Sequence, residues 1–167
     1  FQAAAAGGAW TLIGTQVASA SASLTQTGLD STYDTYAIAF SDLVPATDGV
    51  FCFFRVGDSG GIDSGASDYG YAGMQLNSGD TAYAGYGDLS DSELQLAGQA
   101  TGSSAGEGFG MVLYLNRPGD GSMRPTFTGV TTQIDSSNTL IGGVFIGNRK
   151  AVITLDRVQF LFSSGNI

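Results

Sequence analysis

A serine set between an aspartate and glycines is the first feature of this chain that could do chemistry. Residues 57–61 read GDSGG, the arrangement that surrounds the nucleophilic serine of one class of proteases. Such a serine needs a base near neutral pH, usually histidine, but the chain has 0 His and one lysine, Lys150. No Ser-x-x-Lys arrangement surrounds that lysine, in IGNRKAVITL. We therefore interpret GDSGG as a glycine-rich loop that follows the strand VFCFFRV.

The same loop carries three carboxylates that could bind a metal ion. Asp58, Asp63 and Asp68 lie within GDSGGIDSGASDY. Calcium binds several carboxylate and carbonyl oxygens, so the loop is a candidate calcium site, although its spacing differs from that of an EF-hand. The alternative is that these aspartates form turns. A pair of carboxylates for glycoside hydrolysis is also conceivable, but the two glutamates, Glu93 and Glu107, have no spacing that singles out a pair.

Aromatic side chains near glycine and aspartate form a second candidate site. Exposed tyrosine rings offer flat surfaces for binding, and nearby carboxylates can accept hydrogen bonds from sugar hydroxyls. Residues 77–90 show no strand pattern, so we expect an exposed loop there, whereas the first two tyrosines fit core positions better. The candidate glycan-binding residues are Tyr69, Tyr71, Tyr83 and Tyr86, with Asp68 and Asp88.

The amino-acid composition limits the kinds of partner that this protein can bind. Charged residues make up 13% of the chain, against about 25% in an average globular protein. A surface with so few charged residues suits a protein that assembles with partners or adheres to a surface. The alternative is that uncharged polar residues keep the protein soluble. The net charge of −9 argues against nucleic-acid binding and against an anionic membrane surface. No apolar run approaches the ~18 residues of a membrane span, and the lone Cys52 is expected to be a buried, inert thiol.

The spacing of apolar residues predicts an all-β fold. We expect an antiparallel two-sheet β-sandwich of the jelly-roll type, with nine or ten strands and little or no helix. Residues 10–167 should form one domain. Residues 1–9 should form a flexible or anchoring arm, with Phe1, Gln2 and Trp10 as its assembly contacts.

Several strands and turns can be predicted individually. We expect strands at AWTLIGT and SASASLTQTGL, and another in which Tyr36, Ile38 and Phe40 share one face. Leu94 and Leu96 should point inward, Met74 should help anchor its strand, and RKAVITLDRVQFLFSS should supply one more strand. The residues 45–49, PATDG, should form a hairpin loop.

One long segment resembles a domain of tailed-bacteriophage virion proteins, variously tail-fibre, head-fibre or decoration-type proteins. It reads TGLDSTYDTYAIAFSDLVPATDGVFCFFRV, followed by DSGASDYGYA. The resemblance covers residues 10–75, whereas the second half matches mainly in strand rhythm. Relatives tend to carry STDGG where this chain has GDSGG, so the resemblance implies no function for that loop. It implies a β-sandwich on the outside of a virus particle and no catalytic residue.

These observations favour a non-enzymatic bacteriophage virion structural protein, either a capsid decoration protein or a head- or tail-fibre module. It would be made in the bacterial cytoplasm and displayed on the particle exterior. Its expected partners are other virion proteins and further copies of itself, for example in a trimer. A carbohydrate-binding receptor module is the alternative function, and a glycan-degrading enzyme is the weaker one. No cofactor is expected other than calcium.

Overall fold

A computed structural model describes residues 10–80 and 83–167, and these residues form two antiparallel β-sheets without a helix. The predicted two-sheet sandwich is therefore confirmed, while the jelly-roll connectivity stays a prediction. Eleven strands replace the expected nine or ten, and two of them contain only two residues. The strands are β1 Leu24–Thr27, β2 Thr35–Leu43, β3 Cys52–Asp58, β4 Gly61–Ile62, β5 Tyr69–Asn77, β6 Tyr83–Asp91, β7 Leu94–Gln95, β8 Gly108–Asn116, β9 Thr126–Ile134, β10 Leu140–Arg149 and β11 Arg157–Phe162.

The larger sheet has six strands in the order β2-β8-β9-β10-β5-β6. Strict alternation of buried and exposed residues runs along its middle strands, because successive side chains of a strand point to opposite faces. In β8 the inward side chains are Phe109, Met111, Leu113 and Leu115. The shared face expected for Tyr36, Ile38 and Phe40 in β2 is also present, since all three pack in or against the core.

The smaller sheet has the order β1-β11-β3-β4, and β7 pairs with the same edge of β3 as a separate short strand. Cys52, Phe54 and Val56 of β3 are buried in the core, as expected for this apolar segment. Aromatic rings join the two sheets: Phe54 meets Phe127 of the larger sheet with ring centroids 5.9 Å apart. Leu94 and Leu96 are fully buried, as predicted.

The N-terminal part of the domain differs from the prediction. Residues 10–23 contain no strand, and β1 begins only at Leu24. An apolar stretch forms a strand only where a neighbouring strand accepts its backbone hydrogen bonds, and residues 10–23 pair with no strand of the part of the chain that the structure describes. Trp10, Leu12 and Val17 consequently remain exposed. The predicted arm, with Phe1 and Gln2, lies outside the described residues.

Two connections also differ from the prediction. PATDG is not a hairpin, because it joins β2 of the larger sheet to β3 of the smaller one. Its Gly49 has a φ of 69°, a left-handed conformation that glycine adopts at little cost. The single strand expected over RKAVITLDRVQFLFSS is shortened to β11, and residues 150–156 are irregular. The described residues contain no helix that could span a membrane.

Residues 77–90 are mostly strand rather than the predicted loop. β5 continues to Asn77, a turn follows it, and β6 runs antiparallel to β5 at the sheet edge. Three of the nine β6 residues are glycine or alanine, namely Ala84, Gly85 and Gly87, which hides the strand pattern in the sequence. Gly87 is required there, since a Cβ atom would lie 2.6 Å from the carbonyl oxygen of Tyr71. Met74 of β5 points outward instead of anchoring the core.

Candidate functional site

The GDSGG motif forms the tight turn between β3 and β4. Asp58 pairs with Gly61 across this hairpin, and the Asp58 carboxylate accepts a hydrogen bond of 2.7 Å from the backbone N–H of Gly60. A Cβ atom on Gly57 would collide with the carbonyl oxygen of Gly61, and Gly61 has a φ of 131°. Turn geometry therefore accounts for Gly57 and Gly61 of the motif, which agrees with the predicted glycine-rich loop.

An open depression of about 410 Å³ lies beside Ser59. Its lining includes the carboxylates of Asp58 and Asp156 and the hydroxyl-bearing Thr154. Asp156 accepts a hydrogen bond of 2.6 Å from Arg157, which holds the pKa of this carboxyl below its ordinary value. The depression is thus acidic, and its lining contains neither histidine nor lysine.

The three aspartates of the predicted calcium site do not share one centre. Asp63 and Asp68 both face the guanidinium group of Arg149, at 2.7 Å and 3.0 Å, while Asp58 is used in the β3–β4 turn. A guanidinium group therefore occupies the position between Asp63 and Asp68 that was predicted for a calcium ion. Among residues 10–80 and 83–167, no group of three or more acidic or cysteine side chains could hold a metal ion.

The first two tyrosines of the predicted glycan site lie largely inside the sandwich. Tyr69 is 0% exposed, which confirms the core interpretation, and burial raises the pKa of its hydroxyl above the ordinary value. Tyr71 is half-buried and its hydroxyl donates to the carboxylate of Asp91 at 3.3 Å. Burial, together with the negative charge of Asp91, raises the pKa of Tyr71 to about 12.

The other two tyrosines lie on opposite faces of β6, so the expectation that both are exposed on a loop is wrong. Tyr86 points inward, packs over Gly73 and Gly98, and donates a hydrogen bond of 2.9 Å to the carbonyl oxygen of Leu96. Burial raises the pKa of Tyr86 above its ordinary value. Tyr83 is 71% exposed on the outer face. The predicted glycan site therefore retains one strongly exposed ring, and Asp88 accepts a hydrogen bond from the backbone N–H of Ser90 at 2.7 Å.

The outer face of the six-stranded sheet is the feature that sequence reasoning missed. The strand register aligns one apolar row across all six strands, with its four largest side chains on four adjacent strands. From β2 to β6 the row is Ala39, Val112, Val130, Val144, Met74 and Gly85. The valines and the methionine are exposed large hydrophobic side chains, so the row forms an uninterrupted apolar strip on the surface.

The rows on either side are also uncharged. One contains Ala37, Tyr114, Thr128, Ile146, Ala72 and Gly87, and the other contains Gly110, Thr132, Gly142, Leu76 and Tyr83. We call these three rows the apolar face. None of its residues is charged, although the chain has 15 acidic residues and a net charge of −9. The third row has no member on β2, because a bulge at Ser41 and Asp42 stands opposite Gly110, and the exposed Asp42 lies at this corner of the sheet.

The apolar face continues into the N-terminal part of the described chain. Trp10 is 60% exposed, and its ring centroid lies 6.3 Å from that of Tyr114 on β8. Trp10, which was predicted as an assembly contact, therefore lies beside the apolar face and outside the core. Monomeric proteins rarely leave a contiguous apolar patch of several hundred Å² exposed, and such a patch usually marks an interaction site.

A sequence signal for this face does exist in β8 and β10. Both strands carry large apolar residues at consecutive positions, as in MVLYL of β8, so that both faces of each strand are apolar. Such a run indicates a strand that is buried on two sides, but in this structure one of the two sides is open.

Comparison of the chain with family models, with curated proteins and with solved structures finds no match.

Proposed function

We propose that this protein is a non-enzymatic structural module that works by docking through the apolar face, on the exterior of a bacteriophage virion. The observation that carries the proposal is the uncharged, apolar outer face of the six-stranded sheet. A face of this kind supplies contact area and shape, whereas catalysis needs convergent reactive groups. The virion setting is supported by the resemblance of residues 10–75 to tailed-bacteriophage virion domains.

The distribution of charge supports the same function. Several carboxylates sit in turns between the strands, where Asp30, Asp120 and Asp135 accept hydrogen bonds from backbone N–H groups of their own turns. Net negative charge keeps the free chain soluble, while the apolar face stays available for burial. This separation of solvated and dockable surface is what an assembly module needs.

The test is incorporation into particles. Val144 of the apolar face and Val152 of the irregular segment are exposed to nearly the same extent, 50% and 51%, so each can be replaced by aspartate as a matched pair. We expect Val152→Asp to load onto purified virions like the wild type and Val144→Asp to be lost, measured by quantitative mass spectrometry of the particles. Equal loading of the two variants, or absence of the wild-type protein from intact virions, would show that the proposal is wrong.

Carbohydrate binding remains a second candidate because one observation favours it. Tyr83 pairs with the exposed Leu76 across β5 and β6 at the sheet edge, and the next outward position along β6 is Gly85, which leaves the ring open to solvent. An aromatic ring of this kind can stack on the C–H side of a sugar ring. The site would be shallow, so binding at a single copy would be weak and would depend on many copies per particle.

A further inference from the structure

We infer that the partner of the apolar face is a second copy of this chain, bound face to face. The inference rests on the proposed function and names the partner for the same surface. Six strands spaced ~4.8 Å apart and three outward rows give a face of roughly 25 Å by 20 Å. Two copies would then bury about 1,000 Å² in total, which reaches the lower limit for a specific interface.

The charge distribution favours this partner. Two chains with a net charge of −9 each repel one another, so a contact to which neither chain contributes a carboxylate is favoured. The apolar face meets this condition over all three of its rows. Docking there leaves the carboxylates of the turns between the strands in water, where salt screens them.

The apolar face is also complementary to itself. A two-fold axis that runs parallel to the strands between β9 and β10 would place Val130 against the partner subunit's Val144. The same rotation would place Val112 against the partner subunit's Met74. Both pairs combine medium-sized apolar side chains, which two stacked sheets ~10 Å apart can accommodate. Most homo-oligomers are built from such isologous contacts.

The chain's own N-terminal segment is a poorer occupant. Residues 1–9 read FQAAAAGGA and contain one large apolar side chain, that of Phe1. Nine extended residues reach at most ~32 Å, which is enough to cross the sheet along a single line. They would cover one row, whereas a second copy covers all three.

Sedimentation equilibrium of the full 167-residue chain tests the inference, over roughly 1 to 200 µM. We expect the wild type and Val152→Asp to dimerise. Val144→Asp should weaken dimerisation by about 100-fold or more, because it buries an unpaired carboxylate. Circular dichroism checks that both variants remain folded. Facing residues of two sheets ~10 Å apart are too far from one another for a disulfide, so a mixture of Val130→Cys and Val144→Cys chains should instead be cross-linked between subunits by a short bismaleimide.

Four results would overturn the inference. They are a wild type that stays monomeric at every concentration, a Val144→Asp variant that dimerises like Val152→Asp, a dimer that forms no Val130–Val144 cross-link, and a chain that dimerises only after residues 1–9 are removed. The last result would make the N-terminal segment the occupant. A wild type that is monomeric in solution but present in virions would contradict this inference alone and leave the proposed function standing.

Discussion

The hydroxyl group of Tyr69 forms a hydrogen bond with the backbone of β3 at Val56, between the residues that pair with the short strands β7 and β4. It accepts a hydrogen bond of 2.9 Å from the backbone N–H of Val56 and lies 3.0 Å from the carbonyl oxygen of the same residue. Along this edge of β3, β7 pairs with residues 53–54 and β4 pairs with residues 57–58. The carbonyl oxygen of Val56 also accepts a hydrogen bond of 2.9 Å from the N–H of Asp63, whose own carbonyl lies 2.8 Å from the Tyr69 hydroxyl. The side chain of Tyr69 therefore supplies the acceptor for the Val56 N–H, which these two short strands leave uncovered.

Removing that hydroxyl should destabilise the fold. We expect Tyr69→Phe to lower the free energy of unfolding by about 1–3 kcal/mol, because the buried N–H of Val56 loses its partner. Urea denaturation measures the change. Tyr83→Phe removes the hydroxyl of an exposed tyrosine and should change stability by less than about 0.5 kcal/mol. Equal stability of Tyr69→Phe and the wild type would contradict the assigned role.

The contacts of Arg149 lead to a second prediction. Its guanidinium group binds Asp63 and Asp68, donates to the carbonyl oxygen of Asp68 at 3.0 Å, and lies 5.8 Å from the ring centroid of Tyr69. An ammonium group cannot make these planar contacts together, so Arg149→Lys should cost about 2 kcal/mol. Arg117→Lys is the control, since Arg117 is largely exposed and should change stability little. A similar loss of stability in Arg149→Lys and Arg117→Lys would show that the contacts of Arg149 contribute no more than those of an exposed arginine.

The same arrangement bears on calcium. Because the guanidinium group of Arg149 already occupies the position between Asp63 and Asp68, we expect no increase in the Tm of the wild type when calcium replaces EDTA. Differential scanning calorimetry in the two buffers gives the answer. A calcium-dependent rise in Tm that disappears in Asp63→Asn would support the calcium hypothesis instead.

Alkaline pH should unfold the protein through its buried tyrosines. Burial raises the pKa of Tyr69, Tyr71 and Tyr86, with Tyr71 at about 12. The native state therefore keeps these protons at a pH where the unfolded state has lost them, so stability is constant up to about pH 10 and falls from there to about pH 12. Urea denaturation at successive pH values should show this decline, with a shallower slope for Tyr71→Phe. An unchanged stability up to pH 12 would be incompatible with these pKa shifts.

The two tyrosines of β6 should respond in opposite ways to truncation. Tyr86→Ala should lower the free energy of unfolding by about 2–4 kcal/mol, because its ring packs over two glycines and would leave a cavity. Tyr83→Ala should leave stability within about 0.5 kcal/mol of the wild type. If carbohydrate binding is the function, Tyr83→Ala also weakens adsorption of particles to host cells. A stability loss in Tyr83→Ala would instead place that ring in a structural role.

Local pattern alone was enough to predict the general architecture. Alternation in β8 and β9, the apolar run VFCFFRV and the turn residues predict a two-sheet sandwich, because strand periodicity and turn chemistry act over a few residues. The same level of reasoning identifies GDSGG as a turn and Cys52 as buried. Burial raises the pKa of the Cys52 thiol far above its ordinary value, which agrees with the predicted inert thiol. Where glycine and alanine stand at positions usually held by larger side chains, as in β6, the local pattern does not predict the strand.

Tertiary structure decided which residues meet. Arg149 is 86 residues from Asp63, and Tyr83 and Tyr86 are separated because an odd number of positions puts them on opposite faces of one strand. The apolar face exists because the register aligns Val112, Val130, Val144 and Met74 on four different strands. The amino-acid sequence by itself shows which residues are apolar and how they alternate with polar residues. Which strands become neighbours, and therefore which side chains form a surface, depends on pairing between distant segments that no local pattern contains.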